Sequence, residues 1–169
     1  MSTTFLFALG AISTTFVGFS ALILVFRQTV GGGLSKLDSW IALVFVQLGF
    51  IVTAGSLVPP LMLLCGAPPV LVWRLTSVGA GLVMGAFAIT YPFRRYAASG
   101  NRMPLYVWID LGLLAVSTLV LVANAIGYPF APNAGAFSVG LTGVLFVSGL
   151  GFLHALGALH REDRLAERR

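Results

Sequence analysis

Three polar side chains interrupt the apolar stretches of this sequence at matched depths: Asp110, His154 and Gln47. An ionisable group near the centre of a membrane span costs roughly 3 kcal/mol on insertion scales, so such groups usually face the protein interior. At a rise of about 1.5 Å per residue, Asp110 lies about 9 Å from Pro104 and His154 about 9 Å from His160. A cluster of the three could relay protons, bind a cation or fix helix packing by hydrogen bonds, and histidine would make it sensitive to pH.

A second polar pair is predicted at the opposite end of the spans. Arg74 begins the third apolar stretch and Asn124 ends the fourth, again at similar depth. Arg74 could attract an anion or set selectivity at an outer pore mouth. The alternative is that its long side chain reaches the lipid headgroups.

Motifs for covalent, metal or nucleotide chemistry are missing from the sequence. Cys65 is the only cysteine, which excludes a disulfide within the chain and a thiolate metal site. His154 and His160 are about 120° apart around a helix, so they cannot clamp one metal ion. No HExxH, paired intramembrane carboxylates, usable Ser-His-Asp set or phosphate-binding glycine loop is present. The sequence therefore predicts a protein with no cofactor and no catalytic centre.

The elements that must carry these side chains are membrane-spanning helices. Of the 169 residues, 58% are hydrophobic and 9% are charged, whereas soluble domains carry about 25% charged residues. A bilayer core needs about 20 consecutive apolar helical residues. Five stretches qualify, at residues 3–26, 39–58, 70–91, 104–127 and 136–159. An all-α, polytopic bundle of five transmembrane helices in a single domain is expected.

The basic residues predict how this bundle is oriented. The net charge of +5 is concentrated in alternate connections, which excludes a nucleic-acid role and follows the positive-inside rule. These residues are Arg27, Lys36, Arg94, Arg95, Arg102, Arg161, Arg164, Arg168 and Arg169. The N-terminus is therefore expected outside and the C-terminus in the cytoplasm, with the basic side chains meeting anionic lipid headgroups.

The connection at residues 59–69 is unusual because two Pro-Pro pairs bracket apolar residues with no charge. Its backbone would be unsatisfied in hydrocarbon, and its side chains would expose an apolar patch in water. We expect helix two to bend at Pro59 and Pro60, with the segment lying in the outer interface or folding back on the bundle. A re-entrant, pore-lining segment, a lid and a docking surface all fit this pattern. At the other end of helix two, Asp38 and Ser39 are expected to cap its start.

Small residues indicate how the helices pack, because lipid offers no hydrophobic drive for their association. They recur at helical spacing in the first, third and fifth spans, which are therefore expected to form the centre of the bundle. The positions are Gly10, Gly18, Ser77, Gly81, Gly85, Gly143 and Gly151. Packing within the chain and packing between copies in a homo-oligomer both use such faces.

Two functions remain for a chain with almost no soluble part. The first is an oligomeric ion channel or small-solute transporter in a bacterial inner membrane, indicated by polar residues at matched depths. The alternative is a non-catalytic accessory or scaffolding subunit that binds a membrane partner protein, indicated by the apolar connection.

Overall fold

A computed structural model of the protein describes residues 2–30, 36–100 and 103–166, and the described chain is all helical. The five helices are α1 (Ser2–Val30), α2 (Lys36–Leu64), α3 (Pro69–Ser99), α4 (Leu105–Ile126) and α5 (Ala134–Ala166). All five are long and apolar enough to cross a membrane. The prediction of an all-helical chain with five helices of membrane-spanning length and composition is confirmed.

Two of the helices that run beyond their predicted ends do so because prolines do not stop them. Helix α2 continues through Pro59 and Pro60, both buried, to Leu64, and α3 continues through Pro92 to Ser99. Membrane helices tolerate such prolines because neighbouring helices and local adjustments satisfy the freed backbone groups. The expectation of a separate segment at 59–69 is therefore wrong: a short turn at residues 65–68 joins α2 to α3.

The starts of two helices also differ in detail from the expectation. Asp38 and Ser39 lie within the first turn of α2, which begins at Lys36, rather than before its start. Residues 31–35, which precede α2, lie outside the described residues. Pro104 takes an extended conformation immediately before α4, and Gly127, directly after the helix, takes the left-handed conformation that glycine tolerates.

Four of the helices form a ring, and the fifth lies outside it. Helices α2, α3, α4 and α5 pack in chain order, and α5 returns to α2. Helix α1 packs on α2 and, less extensively, on α5. The expectation that α1, α3 and α5 form the centre is wrong for α1. Its exposed residues include large apolar side chains such as Phe5, Phe19 and Phe26, so much of its surface faces outward.

The small-residue stripe of α3 packs against α4. A Cβ atom added at Gly81 would lie 3.4 Å from the Val122 side chain, and one at Gly85 would lie 3.8 Å from Thr118. Ser77, on the same stripe, is buried. These three positions therefore let two helix backbones approach within one chain.

Two of the predicted packing glycines of α5 lie at close contacts with other helices. A Cβ atom at Gly143 would overlap the Ser117 hydroxyl of α4, and one at Gly151 would lie 3.1 Å from Phe45 of α2. Helix α5 thus packs tightly on two neighbours at once.

On α1 the two predicted packing glycines behave differently. A Cβ atom at Gly10 would lie 3.3 Å from the Ser56 side chain of α2, whereas nothing lies within 4 Å at Gly18. Gly18 is exposed, so the expectation that it packs against another helix of the chain is wrong.

Candidate functional site

The ring brings Asp110 of α4 and His154 of α5 into contact. The start of α4 and the end of α5 lie at the same end of the bundle, hereafter the Asp110 end, and His154 Nδ1 lies 3.3 Å from Asp110 Oδ2. The Asp110 side chain is 14% exposed and that of His154 is 38% exposed. Tyr106, one turn before Asp110, packs its ring on the imidazole with 4.8 Å between centroids. The depth match read from the sequence thus corresponds to a direct contact.

The second oxygen of this carboxyl group is buried without a partner. Asp110 Oδ1 makes no hydrogen bond to any residue that the structure describes. Asp110 also lines a small cavity of about 40 Å³, which is room enough for water. Burying a carboxylate oxygen without a hydrogen-bond partner in a membrane span costs free energy. We therefore expect this oxygen to bind a proton, a water molecule or a cation.

The cavity wall is otherwise almost entirely apolar. Its lining comes from all four helices of the ring: Val44, Phe45, Leu48, Phe87, Tyr91, Val107, Leu111, Leu114, Val147 and Gly151 accompany Asp110. Gly151 keeps α5 close, since a Cβ atom there would lie 3.8 Å from Asp110 Oδ2. Tyr91 is the only other lining residue with a polar side chain.

Arg95 is a member of this site that the sequence reading missed. It was expected to meet lipid headgroups from a loop, but it lies on α3, is 7% exposed, and donates a hydrogen bond from Nη1 to Tyr91 Oη over 3.1 Å. The Tyr91 ring packs against Trp40 of α2 and Phe87. The spacing of Phe87, Tyr91 and Arg95 at intervals of four was the available signal, because it puts them on one helix face.

Arg94, the neighbour of Arg95, is exposed, as a headgroup contact requires. The side chains of the other basic residues expected at that end, at positions 27, 36, 102, 161, 164, 168 and 169, lie outside the described part of the structure.

Gln47 shares the depth of Asp110 but belongs to a different helix face. It lies four residues before Ile51 and seven before Ala54, which line a furrow between α2 and α3, and residues at these spacings share a face. Gln47 is half-buried and does not line the Asp110 cavity. The prediction that Gln47 joins Asp110 and His154 in one cluster is therefore wrong.

Asn124 is buried at the opposite end of the ring, hereafter the Asn124 end, and its amide is fully engaged. Its Nδ2 donates to Ser77 Oγ over 2.8 Å and to the Asn133 carbonyl oxygen over 3.1 Å, and its Oδ1 accepts from the Asn133 backbone N–H over 2.9 Å. Arg74 is exposed. The predicted outer-mouth pair is therefore not formed: Asn124 joins α3, α4 and the turn before α5.

The two polar ends are separated by a packed apolar layer. Asp110, Ser117 and Asn124 recur every seven residues along α4, so that Asp110 and Asn124 lie about 21 Å apart along the helix. Fully buried side chains fill the interval, namely Met84, Leu114, Leu121, Leu141 and Val144. Ser117 is buried there and donates to the Leu113 carbonyl oxygen of its own helix. In this conformation buried apolar side chains pack the described core between the two ends.

Within the described residues, no three His, Cys, Asp or Glu side chains are grouped so that they could hold a metal ion. Comparison of the chain with protein-family models, curated proteins and solved structures gave no match.

Proposed function

We propose that the protein carries a small cation across a membrane, as a channel or transporter, with the Asp110–His154 pair as its ion-binding site. The single observation behind this proposal is the buried Asp110 Oδ1, which no described protein group satisfies. A carboxyl group placed only for packing would have both oxygens paired, because an unpaired buried polar group costs about 1–3 kcal/mol.

The packed apolar layer favours gated transport over a permanently open pore within one chain. Leu114 and Leu121 are almost fully buried between the two polar ends, so an ion crosses only if helices of the ring shift or if copies of the chain form a pore between them. The outward-facing apolar residues of α1, such as Phe19, provide surface for lipids or for a homo-oligomer.

The proposal places the protein in a bacterial inner membrane with the Asp110 end in the cytoplasmic half. The exposed Arg94 of that end then meets anionic headgroups, while the Asn124 end faces outward.

Ion flux in vesicles tests this function. The purified full-length chain is reconstituted into proteoliposomes, and flux is measured for a panel of monovalent cations against protein-free vesicles. We expect cation flux from the wild-type chain and none from Asp110→Asn. Absence of flux for every cation, from protein whose helical circular dichroism is intact, would rule the function out.

A second candidate, an accessory or scaffolding subunit, has its own supporting observation. The furrow between α2 and α3 is almost wholly apolar and about 350 Å³ in volume. Its lining residues Ala54, Gly79 and Val83 are exposed on the outer surface of the bundle. Such a furrow fits a helix of another membrane protein. Purification in mild detergent separates the candidates: an accessory subunit brings a stoichiometric partner, whereas the chain alone, or copies of it, counts against this role.

A further inference from the structure

The surroundings of Asp110 narrow the choice of cation. Metal cations in proteins take several oxygen ligands. The lining side chains offer oxygen atoms only from Asp110 and Tyr91, and the rest are hydrocarbon side chains or glycine. A bare sodium or potassium ion in this cavity would lack most of its ligands.

A fixed positive charge already lies beside the cavity. Arg95 is buried and hydrogen-bonded to the Tyr91 hydroxyl, and arginine stays protonated in proteins. Tyr91 and Asp110 both line this cavity. A metal cation would need several oxygen ligands here, whereas a proton bonds covalently to an Asp110 oxygen and needs no other ligand.

We infer that the ion held by the Asp110–His154 pair is a proton, and that Tyr91 positions the water molecule through which the proton enters and leaves. This inference rests on the proposed cation transport and names its ion. Because Tyr91 Oη accepts its hydrogen bond from Arg95, its own proton is free to be donated to water in the cavity. That water has a second partner in Asp110 Oδ1, and buried water typically needs 2–4 polar partners.

The release step is a simple proton transfer. The O–H bond of the Asp110 carboxyl group breaks, its proton passes to the cavity water, and the hydronium ion passes that proton to water at the Asp110 end. Asp110 remains as a carboxylate whose Oδ2 faces His154 Nδ1. One positive charge leaves and one negative charge stays, with no electron transferred.

Among the described residues, few other titratable groups can take part. Tyr106 on α4 packs on His154, and Tyr91 in the cavity wall is hydrogen-bonded to Arg95 on α3. The neighbours from α2 in the cavity wall are Val44, Phe45 and Leu48, which do not titrate.

The test uses the full-length chain in proteoliposomes with a pH-sensitive dye inside and a membrane potential as the driving force. We expect the internal pH to change at an equal rate when sodium is replaced by choline on both sides. Tyr91→Phe should slow this change about tenfold, less than the roughly 10²–10⁴-fold contributed by a direct proton-transfer group, because Tyr91 only positions the water. Tyr96→Phe is the matched control, since Tyr96 lies on the same helix but is 65% exposed, and it should behave as wild type.

The outcomes separate this inference from the transport function. Sodium or potassium current without a change in internal pH would keep the transport function and overturn the proton assignment. Lack of any current in folded protein would defeat the transport function, and infrared spectroscopy then decides the proton assignment alone. The proton assignment is supported by a protonated-carboxyl band that disappears in Asp110→Asn and shifts in Tyr91→Phe but not in Tyr96→Phe. The assignment is overturned if no such band exists, or if the band is unchanged in Tyr91→Phe.

Discussion

The two polar ends of α4 differ in how completely their buried polar side chains are hydrogen-bonded. At the Asn124 end, three hydrogen bonds satisfy a buried amide and tie it to α3 and to the turn before α5. At the Asp110 end, one carboxylate oxygen faces His154 and the other is buried without a described partner. Similar depth in a span therefore says little about role. What distinguishes a structural polar residue from a candidate ion site is whether its hydrogen bonds are complete.

The comparison depends on a tightly packed layer between the two ends, which Gly143→Val should break. A Cβ atom there would overlap the Ser117 hydroxyl, and overpacking of this kind costs about 3 kcal/mol at its upper range. Denaturant unfolding in detergent measures the loss. Gly18→Val, in open surroundings, is the control, and Ser117→Ala should restore part of the stability of Gly143→Val. Equal stability of the two valine variants would mean that the layer is loose.

Asn124→Ala should give the next largest loss of stability. It removes three hydrogen bonds and leaves Ser77 and Asn133 without their partner. Hydrogen bonds between membrane helices average about 0.6 kcal/mol, so the free energy of unfolding should fall by about 2 kcal/mol. Ser148→Ala is the control, because that buried hydroxyl bonds only within its own helix. A loss no greater than that of Ser148→Ala would remove the structural role of Asn124.

Asp110→Asn should cost much less in stability, below about 1 kcal/mol, because the amide retains an oxygen or nitrogen to face His154 and only one interhelical hydrogen bond is at stake. The same unfolding titration applies. Destabilisation as large as that of Asn124→Ala would make Asp110 a packing residue and erase the contrast between the two ends.

Arg74→Gln should have the smallest effect, within about 0.5 kcal/mol of wild type, as expected for an exposed position. A loss similar to that of Asn124→Ala would show that Arg74 supports the Asn124 end after all. Thermal unfolding of the purified variant is sufficient to tell these results apart.

Much of the fold was predictable because hydrophobic length fixes the number of membrane helices. Their ends were less so: Pro59, Pro60 and Pro92 are ordinary stop signals in soluble helices, but here the packed neighbours let α2 and α3 continue through them. Position along the chain also gives the depth of a residue more reliably than its direction.

The candidate site was predictable to the same extent. Asp110 and His154 are in contact because α4 and α5 are neighbours in the ring. Gln47, at matched depth, lies instead on the face of α2 that lines the furrow with α3. Arg95 was missed because its role depends on the length of α3: only a helix that passes Pro92 carries it back into the bundle.

Flux and stability, measured on the same preparations of Asp110→Asn and Asn124→Ala, test the difference between the two ends most directly. The expected result is a double separation: Asp110→Asn unfolds almost like wild type but carries no ions, and Asn124→Ala unfolds more easily yet keeps wild-type flux per folded molecule. The opposite pattern, with flux intact in Asp110→Asn and lost in folded Asn124→Ala, would contradict the assignment of the ion-binding site to Asp110 and His154.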